Sequence, residues 1–147
     1  MRVLVIGSGG REHALTTRLA GEPGVDDLLC APGNPGIAHR ARTVDIDATD
    51  VEACAALAAR ERIDLTVVGP ELPLSRGLAD RFAADGRLLL GPTAAAARLE
   101  SSKAFAKAFM ARHGVPTARF RVCRSTDEAL DAIRRREFGL PVVVKAD

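Results

Sequence analysis

Three short apolar runs in this chain stop abruptly at glycine and proline. Val3–Ile6 breaks into "GSGG" (7–10), Asp27–Ala31 into "APGNPG" (31–36), and Leu65–Val68 into "GPELP" (69–73). Runs of this length, bounded this way, read as strands buried on both faces. Shorter strands read at Thr43–Ile46 and Leu88–Leu90, the last ending at Gly91-Pro92. Between the runs lie segments with helical patterning: Arg11–Leu19, a stretch from Thr49 to near Arg60, and Ser75 through Ala84. Thr49-Asp50-Val51-Glu52 has the spacing of a capping box. This alternation leaves few architectures open. It predicts an α/β fold with a doubly wound, Rossmann-like parallel sheet and right-handed crossovers. In such sheets ligands bind outside the carboxyl ends of the strands. The three glycine-rich turns therefore share one edge and form a ligand rim.

Composition narrows the partners. Hydrophobic residues make up 47% of the 147, but aromatics only 3%, with no Trp or Tyr, so the core is aliphatic and alanine-rich. With 21 basic and 19 acidic residues, the chain lacks the concentrated basic footprint and stacking aromatics of a nucleic-acid binder. Its one basic run, Arg134-Arg135-Arg136, ends a predicted helix, where cations favour the dipole. Cys30, Cys54 and Cys123 lie far apart with no C-x-x-C pair, which suggests a reducing compartment and thiols acting as small hydrophobes. No run approaches the ~20 apolar residues of a membrane helix, and the opening VLVI run is too short for a signal-peptide core. The expected location is the cytoplasm.

The first turn invites a dinucleotide reading and fails it. G-x-G-x-x-G would put glycines at 7, 9 and 12, yet position 12 is Glu. The second strand ends Cys30-Ala31-Pro32-Gly33, without the carboxylate that would hold ribose hydroxyls. What survives is an anion site: glycines for close backbone approach, helix amides, and Arg11 with a fork that matches phosphate oxygens. Two readings stay open for Glu12, a substrate hydroxyl or amine and simple favourability at a helix N-terminus. Catalysis by His13 competes with packing or capping. Glu71, on a proline-stiffened loop, suits a cationic or hydroxylated substrate or a salt bridge on the rim. "DIDATD" (45–50) opens like a calcium loop but lacks its glycine and its final glutamate. No metal site is expected in this chain.

The character changes after about residue 100. Ser101-Ser102 introduces the helix "SKAFAKAFMARHG", followed by a predicted strand at Phe120–Cys123, a helix from Ser125 with Glu128 three residues on, and a predicted strand "PVVVKAD". One hundred residues of domain and the start of a second are expected: 1–100 and 101–147. The chain has three lysines against eighteen arginines, so Lys103 and Lys145 stand out as compact charges suited to phosphate. Lys145 follows three valines in a buried-looking strand, a costly place for an unpaired charge.

"VLVIGSGGREHAL", "APGNPG", "DLTVVGPELPLSRGLAD", "GPTAAAARLESSKAFAKAFMARHGVPTA" and "PVVVKAD" together resemble the phosphoribosylamine–glycine ligase family, in order and over the whole chain. The SKAF and VVKAD segments are shared more broadly among ATP-grasp ligases. The resemblance implies ATP- and magnesium-dependent joining of glycine to 5-phosphoribosylamine in purine biosynthesis, through a glycyl phosphate, by a monomer. It implies that residues 1–100 are a pre-ATP-grasp domain binding the sugar amine through Gly9, Gly10, Arg11, Glu12, Asn34, Gly69, Pro70 and Glu71. Residues 101–147 are then a linker helix and the first elements of an ATP-grasp domain, with Lys103 and Lys145 contacting ATP. Magnesium ligands and catalytic groups would lie outside this chain, which is expected to be an N-terminal fragment inactive alone. Two alternatives remain: a related purine-pathway ATP-grasp ligase, and a stand-alone nucleotide-binding module.

Overall fold

The computed structural model describes all residues from Met1 to Asp147, which fall into two compact units, Met1–Ala97 and Arg98–Asp147. The first holds a five-stranded, wholly parallel sheet: β1 (Arg2–Gly7), β2 (Asp27–Pro32), β3 (Arg42–Thr43), β4 (Leu65–Val68) and β5 (Leu89–Leu90). Its strand order is β3-β2-β1-β4-β5. The chain winds outward from β1 to one edge, then returns to lay β4 on the other side of β1. The topological switch therefore lies between β1 and β4.

Alternation along the strands sorts the core into two layers. Val3, Val5, Leu28, Cys30 and Val67 face one way, against Leu15 and Leu19 of α1 (Gly10–Leu19) and Ile37 of a single 3-10 turn, Ile37–His39. Leu4, Ile6, Leu29 and Ala31 face the other way. They meet Cys54, Leu57 and Ala58 of α2 (Val51–Arg60), with Leu78 and Phe82 contributed from the segment after β4. Burial on both faces explains why the strands read as continuous apolar runs rather than alternating ones.

Local chemistry sets the boundaries. Asp50, not Thr49, is the N-cap of α2, its carboxylate accepting from the Ala53 amide at 2.9 Å. Thr49 instead donates its amide and hydroxyl to Asp47, at 2.8 and 2.9 Å. The single helix expected from Ser75 is two: α3 (Glu71–Ser75) and α4 (Leu78–Ala84). Gly77 between them has φ +92, a left-handed conformation that ends one helix and starts the next. Ser75 closes α3 by donating to the Leu72 carbonyl at 2.8 Å instead of capping α4. The strand expected at Thr43–Ile46 is confined to Arg42–Thr43. α5 spans Ala94–Ser101.

The second unit holds α6 (Lys103–Arg112) and α7 (Thr126–Arg134). Each is capped by serine: Ser102 accepts from Phe105 at 3.1 Å and Ser125 from Glu128 at 3.2 Å. The strands expected at Phe120–Cys123 and over "PVVVKAD" do not form. A strand needs a neighbour for its backbone groups, and no partner strand pairs with either segment. Val122, Val143 and Val144 consequently stand 52%, 82% and 69% exposed. Lys145 is exposed too, so the expectation of a buried lysine is corrected.

Candidate functional site

At the carboxyl edge, the turns after β1 and β4 border the switch point, where an open parallel sheet leaves a crevice. β1 ends at Gly7, whose φ of +129 lets the backbone swing away from the sheet. Gly9 is the N-cap of α1, with extended backbone. Glu12, in the first turn, folds back so that Oε2 accepts from the Gly9 amide at 2.6 Å. The side chain is buried among glycines. A Cβ placed on Gly7 would meet Glu12 Cγ at 2.6 Å, and one on Gly69 would meet Oε1 at 1.8 Å.

Arg11 reaches across the same gap. Its Nη1 donates to the Gly69 carbonyl at 2.5 Å while the residue stays exposed. Two consecutive residues of α1 thus bridge the first and third turns, Arg11 at the surface and Glu12 beneath. The second turn is tied to the first by Asn34, which donates from Nδ2 to the Ser8 carbonyl at 2.8 Å and accepts the Ile37 amide on Oδ1 at 3.0 Å. The Gly33 amide adds a bond to the Gly7 carbonyl at 3.1 Å. The His13 ring covers Gly36, where a Cβ would lie 2.6 Å from Cε1.

Gly9, Gly10, Arg11, Glu12, Asn34, Gly69 and Pro70 therefore gather on three adjoining turns. Glu71 follows Pro70 at the first position of α3, exposed to solvent. Beneath the rim, the Cys30 thiol donates to the Gly7 carbonyl at 3.4 Å. Burial pushes that thiol up to about 11, with Thr16 opposing the rise and Glu12 adding to it. Burial likewise pushes Cys54 up to about 11. Neither serves as a nucleophile near neutral pH.

Lys103 and Lys145 belong to the second unit. Lys103 is the first residue of α6. Asp147 accepts from the Ala104 amide at 2.8 Å and the Ser102 hydroxyl at 2.9 Å, and these bonds hold its carboxyl below its ordinary value. The chain around Lys145 is thereby pinned to the first turn of α6. Lys107 is no idle surface cation, since its Nζ donates to Thr117 Oγ1 at 2.6 Å.

Three features escaped sequence reasoning: the depth of Glu12, the Arg11–Gly69 bond and the bridging by Asn34. A signal for the first existed in the glycine that follows β4. The fingerprint's third glycine normally permits close packing of helix on strand. Here position 12 is large, and the space comes from Gly69 instead.

Two family patterns match successive stretches of the chain. The pattern of the phosphoribosylglycinamide synthetase N domain matches residues 1–100, and that of the phosphoribosylglycinamide synthetase ATP-grasp (A) domain matches 101–147. Among similar proteins are phosphoribosylamine–glycine ligases of Xanthomonas campestris pv. campestris, 55% identical, and Xylella fastidiosa (strain Temecula1), 52% identical. All of this chain aligns with 34% of each, so it spans about a third of the length of these curated relatives. A crystal structure of phosphoribosylamine–glycine ligase from Thermotoga maritima superposes with a TM-score of 0.67 at 30% identity, over 92% of this chain and 30% of that one. The biotin carboxylase domain of a single-chain bacterial carboxylase superposes with a TM-score of 0.71 at 18% identity, over 99% of this chain and 36% of that one. The latter likeness concerns fold alone.

Proposed function

The chain belongs to the phosphoribosylglycinamide synthetase family, and from that premise we propose that it forms the sugar-amine-binding end of an ATP-dependent carbon–nitrogen ligase of purine biosynthesis. The whole protein joins glycine to 5-phosphoribosylamine. Glycine's carboxylate is a poor electrophile; phosphorylation by ATP to a glycyl phosphate supplies a leaving group, and the sugar amine displaces it. Water must be kept from that intermediate. The observation that carries this reading is the bridging of two turns at the β1–β4 switch, where Arg11 and Glu12 from one meet Gly69 from the other.

In this reading residues 1–100 form the substrate domain. Gly9, Gly10, Arg11, Glu12, Asn34, Gly69, Pro70 and Glu71 line the sugar-amine site. Residues 101–147 supply a linker helix and the opening of the ATP-grasp domain, with Lys103 and Lys145 on ATP phosphates. The exposure of both lysines and the pinning of the Lys145 segment to α6 support a shared ligand. Magnesium would neutralise the transferring phosphate. No group of three or more His, Cys, Asp or Glu side chains gathers to hold it here, so no metal step is assigned to these residues. In this reading the whole protein is a cytoplasmic monomer. No helix of these residues is long and apolar enough to cross a membrane.

The test is ADP formation by the full-length protein. It should require both glycine and phosphoribosylamine, and formate or bicarbonate in place of glycine should give none. The 147 residues alone should give none with any of them. Arg11→Ala in the full-length protein should raise KM for the sugar amine about tenfold while leaving KM for ATP within twofold. Equal effects on both would make the first turn structural only.

A further inference from the structure

A glycine-rich turn leading into a helix ordinarily offers free amides and a positive dipole end to an anion. In α1 one of those amides, that of Gly9, is already taken from within. Glu12, only 5% exposed, takes the Gly9 amide on Oε2 at 2.6 Å and lies against Gly7, Gly9 and Gly69. Its other oxygen, Oε1, accepts from no protein donor. Yet the only fully enclosed, unpartnered polar side-chain atoms in the chain are Thr66 Oγ1 and Arg87 Nε. Oε1 therefore keeps contact with solvent, on the side that faces Gly69. A carboxylate oxygen accepts and does not donate. Left free beside the third turn, it calls for an N–H or O–H group and repels phosphate.

We propose that Glu12 is a specificity-determining residue, whose free Oε1 accepts a hydrogen bond from the amine or a ring hydroxyl of the sugar substrate while its carboxylate excludes phosphate from the α1 N-terminus. The substrate's phosphate then lies away from this turn, although the turn resembles a phosphate cradle in sequence. The inference rests on the reading of the rim as the sugar-amine site, and it sorts that site by polarity.

The full-length enzyme tests it through Glu12→Gln, which keeps the side chain's size and a carbonyl oxygen for the Gly9 amide. KM for phosphoribosylamine should rise at least tenfold, with KM for ATP and glycine within twofold. Inorganic phosphate should become at least a fivefold tighter competitor of the sugar amine. If neither quantity moves in a variant that melts with the wild type, the proposal is overturned. Should the variant fail to fold, competitive inhibitors of the wild-type enzyme decide. Ribose 5-phosphate, 2-deoxyribose 5-phosphate and 1,4-anhydroribitol 5-phosphate differ in the donors at the sugar's first two carbons. Loss of one donor should weaken inhibition at least fivefold, and which analogue weakens separates the amine position from the hydroxyl. Equal inhibition by all three would overturn the proposal. Failure of the wild-type enzyme to form ADP with glycine and the sugar amine would instead sink the functional reading beneath it.

Discussion

Gly69 and Glu12 compete for one volume. With Gly69 in place, the carboxylate reaches the Gly9 amide and the two turns close over it; a Cβ at 69 would sit 1.8 Å from Oε1. Gly69→Ala should destabilise the protein by about 1–3 kcal/mol, the usual cost of overpacking. In a Glu12→Ala background the same substitution should cost a few tenths of that, because the clash has gone. Thermal melts of the four proteins in this cycle measure the coupling directly. Additive costs would show that Gly69 is required by its own backbone and not by Glu12. The residue scale is also where the sequence was hardest to read. An acidic residue in a helix's first turn ordinarily means solvation and a favourable dipole. Glu12 lies buried because of glycines at positions 7 and 69, one five residues earlier and one just after β4, which only the fold brings alongside. The chemistry of the first turn was legible; its polarity needed the third turn beside it.

Among the elements, every strand that forms has at least one paired neighbour, and the three longest, β1, β2 and β4, have two. β1, β2 and β4 are legible because apolar runs ending in glycine leave little else for them to be. "PVVVKAD" carries the same signal and remains irregular, since no partner strand pairs with it; periodicity specifies a preference, not a partner. The break between α3 and α4 was hidden differently, because Gly77 in a helical pattern reads as a tolerated flaw until its φ is known. β4 itself contains an exception to its apolar character. Thr66 is 1% exposed, and its hydroxyl has no partner. Burying an unpaired hydroxyl costs on the order of 1–3 kcal/mol, and removing it while keeping the shape recovers part of that. Thr66→Val should therefore raise the melting temperature, by an amount equivalent to about 1 kcal/mol. A lower melting temperature would mean that the hydroxyl is satisfied in solution.

For the whole molecule, the parallel sheet buries two of the three thiols in opposite layers. Cys30 faces α1 and Cys54 lies in α2, both wholly buried, while Cys123 belongs to the second unit and is partly open. At neutral pH a thiol reagent should modify Cys123 first and the other two only with global or local unfolding. The same burial makes stability depend on pH in alkali. Each buried thiol titrates at about 11 in the folded protein, against an ordinary value of 9.0. Below 9 both states hold the proton and the contribution is constant. As pH climbs from 9 towards 11, the unfolded chain loses protons that the folded one retains, so stability falls. Denaturation midpoints between pH 8 and 11 should drop more steeply in the wild type than in a Cys30→Ala/Cys54→Ala variant, whatever the variant's lower starting point. Parallel slopes would show that alkaline unfolding is governed by other groups and that the two thiols ionise in place.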